Sequence, residues 1–142
     1  MILQDILRRP LLNQSEILLL ALYPPSYDPE TGIVSKSAFK KNNTSASRKA
    51  VLKVDDILEI LKAELSKPDR PINAYGCIDV EEVKSSVIDP EVVFLEVTED
   101  PTPANCSHAE IIAFGNSSKA SFRKDVPNGV AKNLCRKLRV HS

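Results

Sequence analysis

Apolar positions along this chain fall into short blocks that change period from one segment to the next. The longest block, Ile17 to Tyr23, follows Glu16 and stops at Pro24-Pro25. Periodicity alone does not separate a buried strand from a helix in so short a run. Its length and the closing prolines favour a strand. Ala74 to Val80, Val92 to Val97 and Ala109 to Phe114 read as further strands, the last closed by Gly115-Asn116. Two stretches instead show the helical period. Over 54–66, Ile57, Leu58, Leu61 and Leu65 share a face, Asp55 and Asp56 suit the N-terminal end, and Pro68 stops the helix. Over 130–140, Val130, Leu134 and Leu138 recur every fourth residue, with Ala131 and Cys135 beside them.

The remaining segments are weaker. Ile2, Leu3, Ile6 and Leu7 predict a short amphipathic helix ended near Pro10. Pro24 to Gly32 is a loop in which Asp28-Pro29 opens a turn. Ile33 to Phe39 starts with β-branched residues and ends at an aromatic one. Lys40 to Lys49 is polar, rich in Ser, Asn and Thr, and is expected to be mobile. There is no internal repeat and no long linker. The expected architecture is one α+β domain over residues 1–142, a small mixed or antiparallel sheet packed with two to three helices.

A chain of 142 residues with 42% hydrophobic content can bury one core. No apolar run approaches the ~18 residues of a membrane-spanning helix, so no membrane partner is expected. Glu16 precedes the apolar run where a secretory leader would carry bases, so the expected location is cytoplasmic. Cys77, Cys106 and Cys135 are an odd, widely spaced set, which fits reduced thiols and no disulfide framework.

Net charge is zero but unevenly spread. Residues 55–100 hold 13 acids and 4 bases, whereas 116–142 hold 7 bases and 1 acid. The two blocks either neutralise each other on neighbouring surfaces or leave a basic face for an acidic partner. In the second case Lys119, Arg123, Lys124, Lys132, Arg136, Lys137 and Arg139 would contact nucleic acid. Nucleic acid is not the favoured partner, because no stacking motif or helix-turn-helix accompanies these bases.

Reactive groups concentrate in Glu99 to Phe114, where a proline-rigid turn leads through Asn105-Cys-Ser-His108 into an apolar strand. His108 stands at a loop-to-strand junction. It is either a general base or hydrogen-bond donor to a ligand, or a ring that pins the turn to a backbone carbonyl or Asp100. Cys106 reads as a free structural cysteine rather than a nucleophile. Cys77, Cys106, His108 and Cys135 are a sound zinc donor set in type, but their spacing lacks close pairs, so neither metal nor cofactor is expected. Ser35, Ser37, Ser45, Ser47 and Arg48 form a second polar group able to receive an anion, without any phosphate-loop glycine pattern. Glu110 on the strand after His108 faces either solvent or a shared pocket.

The order of three short segments resembles a group of small uncharacterised bacterial proteins. The segments are Val34-Ser-Lys-Ser-Ala-Phe39, Thr44-Ser-Ala-Ser-Arg48 and Asn105-Cys-Ser-His-Ala-Glu-Ile111. The likeness spans residues 16–114 and departs at Cys106-Ser107, where the group carries Pro-Ala. It implies no activity, and it makes His108 and the residues near Phe39 better markers than Cys106.

The expectation is a cytoplasmic binding or interaction protein with a protein partner. Its polar site would be built from residues 35–48 and 105–110, with Ser35, Ser37, Arg48, Asn105, His108 and Glu110 as binding residues. The alternative is a hydrolase- or transferase-type enzyme with His108 catalytic and Arg48 orienting an anionic substrate. The oligomeric state is not set by the sequence.

Overall fold

The computed structural model describes residues 9–68, 72, 74–115 and 122–141, with the backbone alone of 122 and 123. Ile2, Leu3, Ile6 and Leu7, the Asn116 turn residue, Lys119 and the Arg123 side chain lie outside them.

The apolar run forms the strand that the rest of the sheet flanks. Strand β1 (Ile17–Leu22) pairs antiparallel with β4 (Asn43–Arg48) on one side and with β5 (Ala74–Asp79) on the other. Beyond β4 lie β7 (His108–Gly115) and β6 (Val93–Glu99), joined to each other as neighbouring strands in sequence; beyond β5 lies β9 (Arg139–His141). Strand β8 (Phe122–Arg123) pairs with the far end of β7, making a seven-stranded sheet in which every pairing is antiparallel. A separate two-stranded hairpin, β2 (Tyr27–Asp28) with β3 (Ile33–Val34), and a 3-10 turn over Lys36–Ala38 fill the link from β1 to β4.

Strand alternation sorts the sheet into two faces. Leu18, Leu20 and Leu22 of β1 join Ile78, Ile111 and Leu95 in the main core. Helices α2 (Val80–Ser85) and α3 (Asn128–Lys137) close that face through Val80, Val83, Val130 and Leu134, helped by Tyr27 and Phe39. Helix α1 (Val54–Leu65) connects β4 to β5 across β1 and is not part of this core. The fold is therefore α+β, antiparallel, with three α-helices among the described residues. No helix among the described residues is long and apolar enough to cross a membrane.

Helix α1 and strands β1, β5, β6 and β7 lie where the hydrophobic pattern put them. Three features do not. The polar 43–48 segment, expected to be mobile, is an internal strand. Its only fully buried apolar side chain is Ala46, so its pattern carries no apolar signal, and its neighbours β1 and β7 recruit it through backbone hydrogen bonds. Helix α3, expected over 130–140, ends at Lys137, because residues 139–141 extend the open edge of β5. Helix α2 follows β5 directly, started by a capping box. The Asp79 N–H donates to Glu82 at 2.9 Å, and the Asp79 side chain accepts from the Glu82 N–H.

The acidic and basic blocks do meet among the described residues. Arg139 reaches Asp79 at 2.9 Å and Glu82 at 2.7 Å, and Lys137 donates to Ser85 at 2.9 Å. Part of the C-terminal basic charge is thus neutralised within the fold.

Candidate functional site

The loop from β6 to β7 is held by Asn105, which is buried. Its backbone exchanges hydrogen bonds with Thr102, and its carbonyl also accepts the His108 N–H at 3.2 Å. Its side-chain oxygen accepts from the Ser107 N–H (3.0 Å) and hydroxyl (2.6 Å), while its amide donates to Ser47 Oγ at 3.1 Å. Every polar group of a 2% exposed side chain is engaged, so Asn105 is a fixed hub of the turn.

That turn presents His108 at the start of β7. Nδ1 lies 2.8 Å from the Asp100 carbonyl oxygen and 3.2 Å from its carboxylate. A carbonyl only accepts, so Nδ1 carries a hydrogen, and Nε2 of the neutral ring is left as an acceptor. Asp100 is in turn 3.6 Å from the Arg9 guanidinium, which also reaches Glu110 at 3.4 Å. Carboxylate, imidazole and guanidinium form one chain that fixes the ring.

His108 opposes Ser47 across the β4–β7 ladder. The Arg48 N–H donates to the Ser107 carbonyl, so even residues of β4 turn their backbone groups toward β7. Ser47 and His108 are therefore a non-hydrogen-bonded pair, the closer kind, with Cα atoms about 4.5 Å apart.

The same alternation exposes a split in the sheet. Strand β1 pairs with β5 along its whole length, but with β4 only at Leu18–Arg48 and Leu19–Ser47. Past that point β4 follows β7, and β1 and β4 diverge. The β4 side of the split offers Asn43, Thr44 and Ser45, which give no apolar cross-strand pairs to close it. The Ile17 carbonyl accepts from the Lys49 N–H, so odd residues of β1 direct their backbone toward β4. By this alternation the N–H and C=O of Ala21 and of Ser45 point into the opening without a ladder partner.

The opening is a cleft of about 280 Å³. Its closed end holds Leu19, Ser47 and His108, and its walls carry Leu20, Leu22, Ala46, Leu61 and Leu65. The outer end carries Ser26, Ser37, Lys41 and Asn43. Leu61 and Leu65 of α1 are only half-buried, because the cleft lies where a core side chain would cover them.

Of the residues singled out from sequence, Ser37, Ser45, Ser47 and His108 line this cleft. Ser35 reaches it through Ser37 (Oγ to Oγ 2.6 Å), which also contacts Ser26 at 3.0 Å. Asn105 acts through Ser47. Arg48 and Glu110 do not line it. The Arg48 guanidinium is gripped by both Glu16 oxygens (2.8 and 2.9 Å) and by Glu99 at 3.1 Å, which holds it firmly charged and occupies its fork. An orienting role for Arg48 on an anionic substrate therefore lacks a free guanidinium edge. Glu110, on the same face of β7 as His108, is held by Arg9 outside the cleft lining.

The sequence held Lys41 within the 35–48 stretch without singling it out, and it did not point to Leu61, Leu65 or the Ala21 backbone. Only the divergence of two strands makes them neighbours. The thiols are dispersed: Cys77 is buried, Cys106 exposed and Cys135 half-buried, with Cys135 Sγ 3.4 Å from the Ser35 carbonyl. Among the described residues no group of three His, Cys, Asp or Glu is arranged to hold a metal ion.

Compared with protein-family models, curated proteins and solved structures, the chain matches none.

Proposed function

We propose that this is a binding protein whose ligand seats in the cleft between β1 and β4. The observation that carries the reading is the split itself. It leaves unpaired strand backbone, half-buried leucines and a positioned imidazole around one space. A volume of about 280 Å³ lies just below the usual range of ligand pockets, which starts at about 300 Å³, and so suits only a small ligand. The mix of apolar walls and a few oriented polar groups is the usual composition of such sites. Three free thiols are consistent with a reducing, cytoplasmic setting.

The test is an amide-detected NMR screen of the full chain with a small-fragment set, repeated on Ser45→Phe. Ser45 is exposed on a strand, where Phe is well tolerated, so the variant fills the cleft without burdening the core. Hits are expected to move the amides of Ala21, Ser45 and His108 and to vanish in the variant. Hits that map elsewhere, or that survive Ser45→Phe, overturn the reading.

One observation favours a second reading, an enzyme using His108 as a general base. Its Nδ1 is backed by Asp100, and Nε2 has no protein partner among the described residues. That reading predicts turnover of a cleft ligand that falls about 100-fold or more in His108→Gln. Equal turnover in the variant would remove it.

A further inference from the structure

The chemistry of the cleft also selects a ligand class, an inference that rests on the binding reading above. Three features lie along its length in a fixed order. The closed end and walls are apolar or neutral, lined by Leu19, Leu20, Leu61, Leu65 and the His108 ring. The middle presents strand backbone from both sides, the N–H and C=O of Ala21 and of Ser45, which have no ladder partner. The outer end presents a cation, Lys41, beside the Ser26 and Ser37 hydroxyls.

Lys41 lines the outer end, and two further lysines are close to it in sequence without lining the cleft. Lys36 and Lys40 flank Ser37 and Lys41 in sequence, and none of the three lysines is paired with a carboxylate among the described residues. This contrasts with Arg9, Arg48 and Arg139, each of which meets two acids. The uncompensated charge at the outer end matches an anionic group.

We infer that the cleft binds a small N-acyl amino acid or dipeptide carboxylate. Its amide spans the edges of Ala21 and Ser45, its apolar end lies against the leucines, and its carboxylate meets Lys41 and Ser37. An amide carries one donor and one acceptor on opposite sides, which is what two facing strand edges require. The diverging stretch of β1, Leu20 to Leu22, is about 10 Å long at about 3.3 Å per residue. That accommodates two peptide units of about 3.8 Å each, and no long chain.

The experiment is an amide-detected NMR titration of the full chain with N-acetyl-leucine. N-acetyl-leucinamide, which lacks the charge, and isocaproate, which lacks the amide, serve as matched probes beside the fragment set. N-acetyl-leucine is expected to shift the Ala21 and Ser45 amides and to bind about tenfold more tightly than either analogue. Lys41→Ala, a change at an exposed position, is expected to erase the advantage over the leucinamide and keep the advantage over isocaproate. An analogue that binds as tightly as N-acetyl-leucine overturns the assignment of the group it lacks. If N-acetyl-leucine leaves both amides unmoved while fragments shift them, the ligand class fails and the binding cleft stands. If neither shifts a cleft amide, both fall together.

Discussion

His108 and Asp100 are tied to each other twice. The ring Nδ1 lies 2.8 Å from the Asp100 carbonyl oxygen, and the Asp100 N–H donates to the His108 carbonyl at 2.9 Å. This closes the β6–β7 loop and sets the ring before any ligand arrives. The neutral ring is therefore expected in the Nδ1-protonated tautomer, read by long-range nitrogen–proton NMR correlations. Asp100→Asn should leave that tautomer unchanged, because the main-chain carbonyl remains. An Nε2-protonated ring in the wild type would show that the carbonyl contact does not form.

Asn105 should be the most sensitive polar position in the loop. Asn105→Ala removes the acceptor of the Ser107 N–H and hydroxyl and the donor to Ser47, and strands groups that are almost fully buried. Each buried unsatisfied group costs about 1–3 kcal/mol, so a loss of at least about 2 kcal/mol is expected from denaturant unfolding. The neighbouring Cys106→Ala, at an exposed side chain, should change stability by less than about 0.5 kcal/mol.

Gly76 and Leu138 occupy one space. A Cβ built on Gly76 would lie 2.5 Å from Leu138 Cγ, so the strand needs glycine there for the end of α3 to pack. Gly76→Ala is expected to destabilise by about 1–3 kcal/mol, the usual cost of overpacking. In Leu138→Ala the clash is gone, so adding Gly76→Ala should cost much less than it does alone. Additive losses in this double-mutant cycle would mean that the two sites do not touch.

Glu82 gives the fold a pH dependence with a definite sign. The Asp79 N–H, outweighing some burial, and then Arg139 hold its carboxyl below the usual carboxylate range. A depressed folded pKa contributes stability above the unfolded value of about 4.3, and that contribution is lost as pH falls through the folded value. Glu82→Gln keeps an oxygen to accept the Asp79 N–H but loses the charge. Because the pair is partly exposed, the variant should be less stable by no more than about 1 kcal/mol at pH 7. The difference should shrink as the pH falls below the unfolded value and close once it has passed through the lower folded value. A gap that persists at the acid end would assign the effect to packing.

The three thiols should react in a fixed order with an aromatic disulfide reagent. Cys106 is exposed and should label first. Burial raises the pKa of Cys135 and of Cys77, where it is the leading cause, so both thiols are less often thiolates. Cys135 should follow slowly, and Cys77, 3% exposed, only on unfolding. Fast labelling of Cys77 would mean that the β1–β5 region opens readily.

The elements with strong apolar patterns could be read from the chain, and those made by pairing could not. Ile17–Leu22 and Val54–Leu65 announce themselves because their side chains bury area whatever surrounds them. Asn43–Arg48 does not, since a strand of small polar residues owes its place to backbone hydrogen bonds that need β1 and β7 in position first. The same holds for Arg139–His141, where helical periodicity in the sequence gives way to the free edge of β5.

For the site, the sequence by itself determined which chemistry was available. It showed an imidazole at a loop-to-strand junction with a carboxylate in reach, and a serine-rich segment upstream. The tertiary structure decided which of these groups share a space. Ser47 and His108 come together because β4 pairs with β7 in that register, whereas Arg48, next along β4, is turned to Glu16 and Glu99 by the strand's period of two. The cleft itself has no sequence signature. It exists because two strands that start as partners stop pairing after two residues, and a backbone edge left open is a property of the assembled sheet and not of any segment alone.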